Sequence, residues 1–441
     1  MKKIIFIPIL FCLTIFTLAE ELANDADQYW PQWRGPKANG NAEQNNPPTE
    51  WSETKNIKWK IQIPGKGSSS PIIWEDQIFI TTAVPTGKPA QERAPETSSD
   101  RSWMRGVTPA EQQFVVMAVS RKDGKVLWQK TVHQETPHAG THDTGTWASN
   151  SPVTDGSHIY AYFGSQGLYC LDTAGNLVWQ RDFGEMDKKM SFGEGSSPIL
   201  YDDKLMIIWD HEGPSFLYVL DKKTGQEKWK VERDEATSWS SPLVVEHNGN
   251  PQVITSATKA VRSYDLNTGK LIWHASGMTQ NVIPTPVELD GLVIVMSGFR
   301  GNSAMAIRLN DAHGDITDSG AIAWKLGRDT PYTPSPLLYE DTLYFLKSNS
   351  SVLSSLNGRN GEMIISNQRL EGLGSVYASP VGAGGNVYIT DRDGNTAVIR
   401  HSRQFEVLAV NSLDDGFDAS AAIVEDEIFL RGQRNLYCIA D

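Results

Sequence analysis

Along this chain a Ser-Pro or Thr-Pro step recurs, followed each time by a short apolar run, a turn and a second apolar run. The units are SPIIWEDQIFI from Ser70, SPVTDGSHIYAYF from Ser151, SPILYDDKLMII from Ser197 and SPLVVEHNGNPQVI from Ser241. TPVELDGLVIV from Thr285, SPLLYEDTLYFL from Ser335, SPVGAGGNVYIT from Ser379 and a degenerate SAAIVEDEIFL from Ser420 complete the series. Pairs such as Asp155-Gly156, Asp290-Gly291 and Gly384-Gly385 divide the two runs, which is hairpin chemistry and predicts two antiparallel strands per unit. A third β-rich run ends near an Asp, and a Gly turn leads to a fourth run closing on Trp128, Trp179, Trp229 or Trp273, with unit five stretched to Trp324. Units six and seven keep the strand pattern and lose the Trp.

Most units start about forty to fifty residues apart, the period of a four-stranded propeller blade. The first interval is longer and places insertions at about 84–113 and 131–150. The pattern predicts an all-β chain: a single closed eight-bladed β-propeller of four-stranded antiparallel blades over 51–441. The eighth unit stops after LYCIAD, and Asn56-Ile57-Lys58-Trp59-Lys60 has the sequence of its missing last strand, so an N-terminal strand is expected to complete the last blade and leave no open sheet edge. Residues 20–50 are expected to run extended around the outside.

Forty Lys and Arg against fifty-three Asp and Glu give a net charge of −13, which opposes attraction to nucleic acid or anionic lipid. Hydrophobic content of 39% and charged content of 21% fit a soluble globular protein, expected to be a monomer. Lys2 and Lys3, the apolar run Ile4 to Leu18 and the small-residue site at Thr17-Leu18-Ala19 read as a secretory signal over 1–19, so a periplasmic or secreted protein is expected. No later segment is apolar enough to span a bilayer. Cys170 and Cys438 occupy equivalent repeat positions, LYCLD and LYCIA, on different blades that point apart, and they read as buried free thiols.

The units resemble the PQQ-like repeat: its Asp-x-x-Thr-Gly-x-x-x-Trp docking motif stands at Asp265 to Trp273 and at Asp221 to Trp229. With WPQWRGP at Trp30 to Pro36, the chain resembles secreted bacterial PQQ-binding-like propeller proteins, related to outer-membrane assembly lipoproteins and to quinoprotein dehydrogenases. The first relationship implies a scaffold, the second an enzyme holding PQQ and calcium. Many such dehydrogenases set an adjacent-cysteine disulfide against the quinone; this chain has no vicinal pair and no CxxCH haem site, so PQQ is not expected. Each terminal Trp is expected to pack between blades and donate its N–H to a neighbour, which makes Trp128, Trp179, Trp229, Trp273 and Trp324 docking residues.

Residues just before each Ser-Pro step converge on one face around the channel. Trp147, Asn150, Phe192, Glu194, Trp239, Asn281, Tyr332, Tyr377 and Asp418 are therefore candidate rim residues, with aromatics, carboxylates and amides suited to a sugar, a peptide or another flat polar ligand. The insertion HQETPHAGTHD carries His133, His138, His142 and Asp143, side chains of the metal-ligand type, at a spacing that fits no helical face. No nucleophile elbow, Walker loop or zinc-protease motif is present. The sequence favours an exported, noncatalytic binding or scaffold propeller that recognises a protein or glycan. Its alternatives are a PQQ- and calcium-dependent dehydrogenase and a metal-dependent enzyme acting on polysaccharide.

Overall fold

The computed structural model describes residues 27–42, 45–88 and 109–441. The apolar runs form eight antiparallel sheets arranged as a closed eight-bladed propeller. Blade 1 consists of Ile72–Trp74, Gln77–Pro85, Gln112–Ser120 and Val126–Glu135. The inner strands of blades 2 to 7 are Val153–Thr154, Ile199–Tyr201, Leu243–His247, Val287–Leu289, Leu337–Tyr339 and Val381–Ala383. Second and third strands are sandwiched between neighbouring blades and read as nearly continuous apolar runs: Lys204–Trp209 is buried from its second residue onward. Outer strands such as Glu227–Arg233 alternate between exposed and covered positions, because only one face has a neighbour.

Blade 8 contributes Ala422–Val424, Glu427–Arg431 and Asn435–Ile439, and Ile57–Gln62 pairs antiparallel with the last of these, Trp59 opposite Cys438. The ring therefore closes by hydrogen bonds between the two ends of the chain. Cys170 and Cys438 are free and buried in separate blades. Among the described residues no helix is long and apolar enough to cross a membrane.

Five indoles dock one blade on the next. Trp59, Trp128, Trp179, Trp229 and Trp324 donate Nε1–H to the carbonyls of Arg121, Thr173, Lys222, Leu266 and Gly358, at 2.8–3.1 Å. Each of these carbonyls belongs to the turn before the neighbouring blade's outer strand. That turn is shaped by its Asp: Asp265 Oδ1 accepts the N–H groups of Asn267 and Thr268 and the Thr268 hydroxyl. Gly269 then lies flat on the Trp229 ring at φ +73°, where a Cβ would come within 2.8 Å of the indole. Trp273 is docked differently. The stretched turn of blade 5 sends Gly314–Asp315 back to pair parallel with the strand bearing Trp273, which is fully buried with its Nε1 left without a partner.

The N-terminal segment departs from the expected outside path. Trp30 pairs with Ile73 on the inner strand of blade 1, and Pro31 accepts the Thr154 N–H of blade 2. Asn39 accepts from Leu338 of blade 6, and Asn41–Ala42 runs parallel to the inner strand of blade 7. Ala38 packs into the core shared by blades 4 and 5. Residues 30–42 thus cross the central channel, satisfying inner-strand groups that would otherwise lack partners. Only from Pro47, which accepts the Tyr388 hydroxyl, to Trp51, whose N–H reaches Asn411 on an outer strand, does the chain pass outward to the closing strand. Arg34, at the centre of the crossing, is buried; its guanidinium binds the Ala38, Asn39 and Pro336 carbonyls, and desolvation lowers its pKa to about 9.

The expected signal segment 1–19 and positions 89–108 of the first insertion lie outside the described residues. The second expected insertion begins later than 131, since the outer strand of blade 1 continues to Glu135 and carries His133.

Candidate binding site

The Ser-Pro steps have a structural cause beyond turning the chain. The N–H of Ser70 binds Ser151 Oγ in the next blade, Ser151 binds Ser197, and Ser197 binds Ser241. Thr285 N–H binds Ser335, Ser335 binds Ser379, Ser379 binds Ser420, and Ser420 returns to Ser70, all at 2.8–3.0 Å. A circle of side-chain to backbone bonds so ties the inner strands together. Its open link is Ser241 to Thr285, whose Oγ1 is buried without a partner. A β-branched residue has fewer χ1 rotamers with which to aim its oxygen.

Above this circle lies a funnel of about 380 Å³. Ser70, Ser151, Ser197, Ser379 and Ser420 line it together with Trp33 from the crossing segment. Its wall carries Phe192, Trp239, Phe299, Tyr332 and Tyr377, together with the carboxylates of Glu194 and Asp418 and the imidazole of His142. Six of the nine expected rim residues, Phe192, Glu194, Trp239, Tyr332, Tyr377 and Asp418, therefore face one cavity. Trp147 and Asn150 instead border a small adjoining cavity: Trp147 donates to the Ala139 carbonyl at 3.1 Å and Asn150 to the Ser196 carbonyl at 2.6 Å. Asn281 is buried and accepts from Lys189 Nζ at 3.3 Å, outside the funnel lining.

The aromatics are held by polar anchors. Trp239 donates to the Gly193 carbonyl at 2.8 Å, and its neighbour Ser238 bonds Asp210, which forms a fully buried two-pronged ion pair with Arg233 at 2.8 and 3.0 Å. Phe299 and Tyr332 stack with ring centres 4.8 Å apart. The Arg392 guanidinium sits 4.4 Å from the Tyr377 ring centre while pairing with Asp418 at 2.6 Å. Burial alone would lower the Arg392 pKa, but Asp418 outweighs it and raises it. Burial raises the pKa of Glu194, against the hydrogen bonds from Ser165 N–H and hydroxyl at 2.7 and 2.5 Å and the charge of Lys188. Lys188 is itself buried, its pKa lowered by desolvation, with Nζ on the Asp210 and Ser238 carbonyls.

The histidines do not assemble. His133 lies on a strand beside Glu135, 3.3 Å away; His138 bonds the Met186 carbonyl at 3.0 Å; His142 contacts Asp143 at 2.6 Å and the edge of Phe192. Among the described residues no group of three or more His, Cys, Asp or Glu side chains is placed to hold a metal ion. His133, His138 and the His142–Asp143 pair thus stand in three separate local settings, with His133 on the outer strand of blade 1 and the others in the loop that follows it.

Trp33, Phe299 and the inward serines were missed as site residues. The Ser-Pro register signalled the serines, but their convergence depends on residues more than forty positions apart. Phe299 belongs to the loop after the second strand of blade 5, Leu292–Ser297, and so does not precede a Ser-Pro step.

A closed propeller of quinoprotein-type repeats with one aromatic funnel is the class these features define. The family described as outer membrane protein assembly factor BamB matches residues 112–282 and 215–439, and the chain belongs to that family. BamB from Moraxella catarrhalis aligns over 87% of this chain and 97% of its own, at 14% identity and a TM-score of 0.59. Quinohemoprotein alcohol dehydrogenase from Comamonas testosteroni aligns over 95% and 82%, at 10% identity and a TM-score of 0.61. At such identities the likeness is one of fold. No curated protein matches the chain in sequence.

Proposed function

We propose that this protein is an exported, noncatalytic binding or scaffold propeller that takes a protein or glycan ligand at its funnel. The observation that carries this reading is the state of the two funnel carboxylates. Asp418 is paired with Arg392 and Glu194 is held by Ser165, so both serve as fixed acceptors in an aromatic-walled cleft. The family name, which describes an outer-membrane assembly factor, supports a protein partner and a site of action between the bacterial membranes, as do Lys2, Lys3 and the apolar run that follows.

A quinone with calcium fits these residues poorly. Calcium takes six to eight oxygen ligands, whereas among the described residues the funnel lining supplies two carboxylates, of which Asp418 is paired with Arg392, and Cys170 and Cys438 stand in separate blade walls. The proposal therefore includes no cofactor and no metal.

Placing p-benzoylphenylalanine at position 332 or 377 in the native host and irradiating whole cells tests the reading. One discrete adduct, formed from both positions and not from position 178 on the outer wall, is expected. Stoichiometric quinone or metal in natively purified protein, with turnover of an alcohol or a polysaccharide, would overturn it.

A further inference from the structure

The serines on the funnel floor have a property that the hydrogen-bond circle forces on them. Each Oγ of Ser70, Ser151, Ser197, Ser379 and Ser420 accepts a backbone N–H from the neighbouring blade. None donates its own proton to an acceptor among the described residues, and all five are at least nine-tenths buried while lining the cavity. A hydroxyl carries one proton and two lone pairs, so each of these side chains keeps a proton that a ligand in the funnel could accept. The floor is a partial ring of neutral donors around the channel axis, beside the indole of Trp33. The wall offers flat apolar faces on Trp239, Tyr332 and Tyr377, and the carboxylates of Glu194 and Asp418 offer acceptors.

We infer that this funnel receives the uncharged terminal sugar of a glycan, a statement that rests on the binding-propeller reading and narrows it. A sugar ring presents hydroxyl oxygens that accept from the floor, hydroxyl protons that donate to the carboxylates, and C–H faces that lie against the aromatics. The volume, about 380 Å³, is near the small end of the range of about 300–1,000 Å³ for small-molecule sites, which suits one or two rings. Among the described residues that line the funnel none is Lys or Arg, so a phosphate or carboxylate ligand would find no charge-assisted donor of the usual kind there.

A peptide is disfavoured by what already occupies the channel. Extended peptides gain affinity by main-chain bonds along a sheet edge. The inner-strand edges of blades 1, 2, 6 and 7 are already bonded to Trp30, Pro31, Asn39, Gly40 and the residues that follow, so the chain's own N-terminal segment uses that mode of binding. The funnel lining above them is built mainly from side-chain hydroxyls, rings and carboxylates.

The test is titration of the full mature protein, followed by tryptophan fluorescence and calorimetry, with glucose, galactose, mannose, N-acetylglucosamine and the disaccharides maltose, cellobiose, lactose and chitobiose. A pool of amidated hexapeptides serves as the competing probe. Saturable binding of at least one sugar is expected, weakened about tenfold or more by Trp239→Ala and about fivefold by Ser197→Ala, the worth of one neutral hydrogen bond. Val178→Ala on the outer wall leaves affinity unchanged. Thermal melting identifies any variant that fails to fold, and should Ser197→Ala do so, Trp239→Ala carries the test. If the peptide pool binds and the sugars do not, with loss in Trp239→Ala, the sugar inference falls and the binding-propeller reading stands. If neither class binds, both fall.

Discussion

One hydroxyl per blade governs how neighbouring inner strands meet, and the eight positions are not equivalent. Ser197 Oγ accepts the Ser151 N–H in a buried setting, whereas Thr285 Oγ1 is buried with no partner at all. A net intramolecular hydrogen bond contributes about 1 kcal/mol, and an unsatisfied buried polar group costs about 1–3 kcal/mol. Ser197→Ala, which strands the Ser151 N–H, is therefore expected to destabilise the fold by about 1–3 kcal/mol. Thr285→Val, which replaces an orphaned hydroxyl by a methyl of similar shape, is expected to be neutral or stabilising. Urea unfolding of both variants checks this, and equal losses would contradict the ring. At this scale the sequence shows the Ser-Pro register plainly and its purpose hardly at all, because donor and acceptor lie on different blades. The candidate histidines fail for a related reason: closeness in sequence along HQETPHAGTHD is broken when the strand carries off His133.

Docking between blades is carried by a turn glycine under an indole. Gly269 and Gly249 share nearly the same φ, +73° and +74°, yet a Cβ at 269 meets the Trp229 ring and at 249 meets nothing within 4 Å. Gly249→Ala is expected to cost about 1 kcal/mol, the strain of a positive φ. Gly269→Ala adds overpacking of about 1–3 kcal/mol. The difference between the two, measured by thermal or urea unfolding, isolates the docking contact; equal costs would remove it. Elements of this kind are the most legible part of the chain, since Asp, Thr, Gly and Trp at fixed offsets encode one local turn and the ring that covers it. Blade 5 is the exception: the stretch before Trp324 signals an insertion, but not that Gly314–Asp315 would fold back over Trp273.

For the molecule as a whole, blade number and closure were legible because both follow from periodicity and from one strand's worth of sequence at Asn56 to Lys60. The path of residues 30–42 was not. WPQWRGPKANG has no strand or helix period, and its Trp and Arg residues suit packing against an outer wall as well as an inner one. Its place in the channel changes the site: Trp33 becomes part of the funnel lining, and the inner-strand edges of blades 1, 2, 6 and 7 are occupied. Hydrogen–deuterium exchange of residues 29–42 in the intact protein tests this placement most directly. The amides of Trp30, Gly35, Ala38 and Gly40 are hydrogen-bonded within the channel, so slow exchange comparable to the inner strands of blades 1 and 7 is predicted. Exchange of this segment at the rate of a free chain, while those strands stay protected, would contradict it.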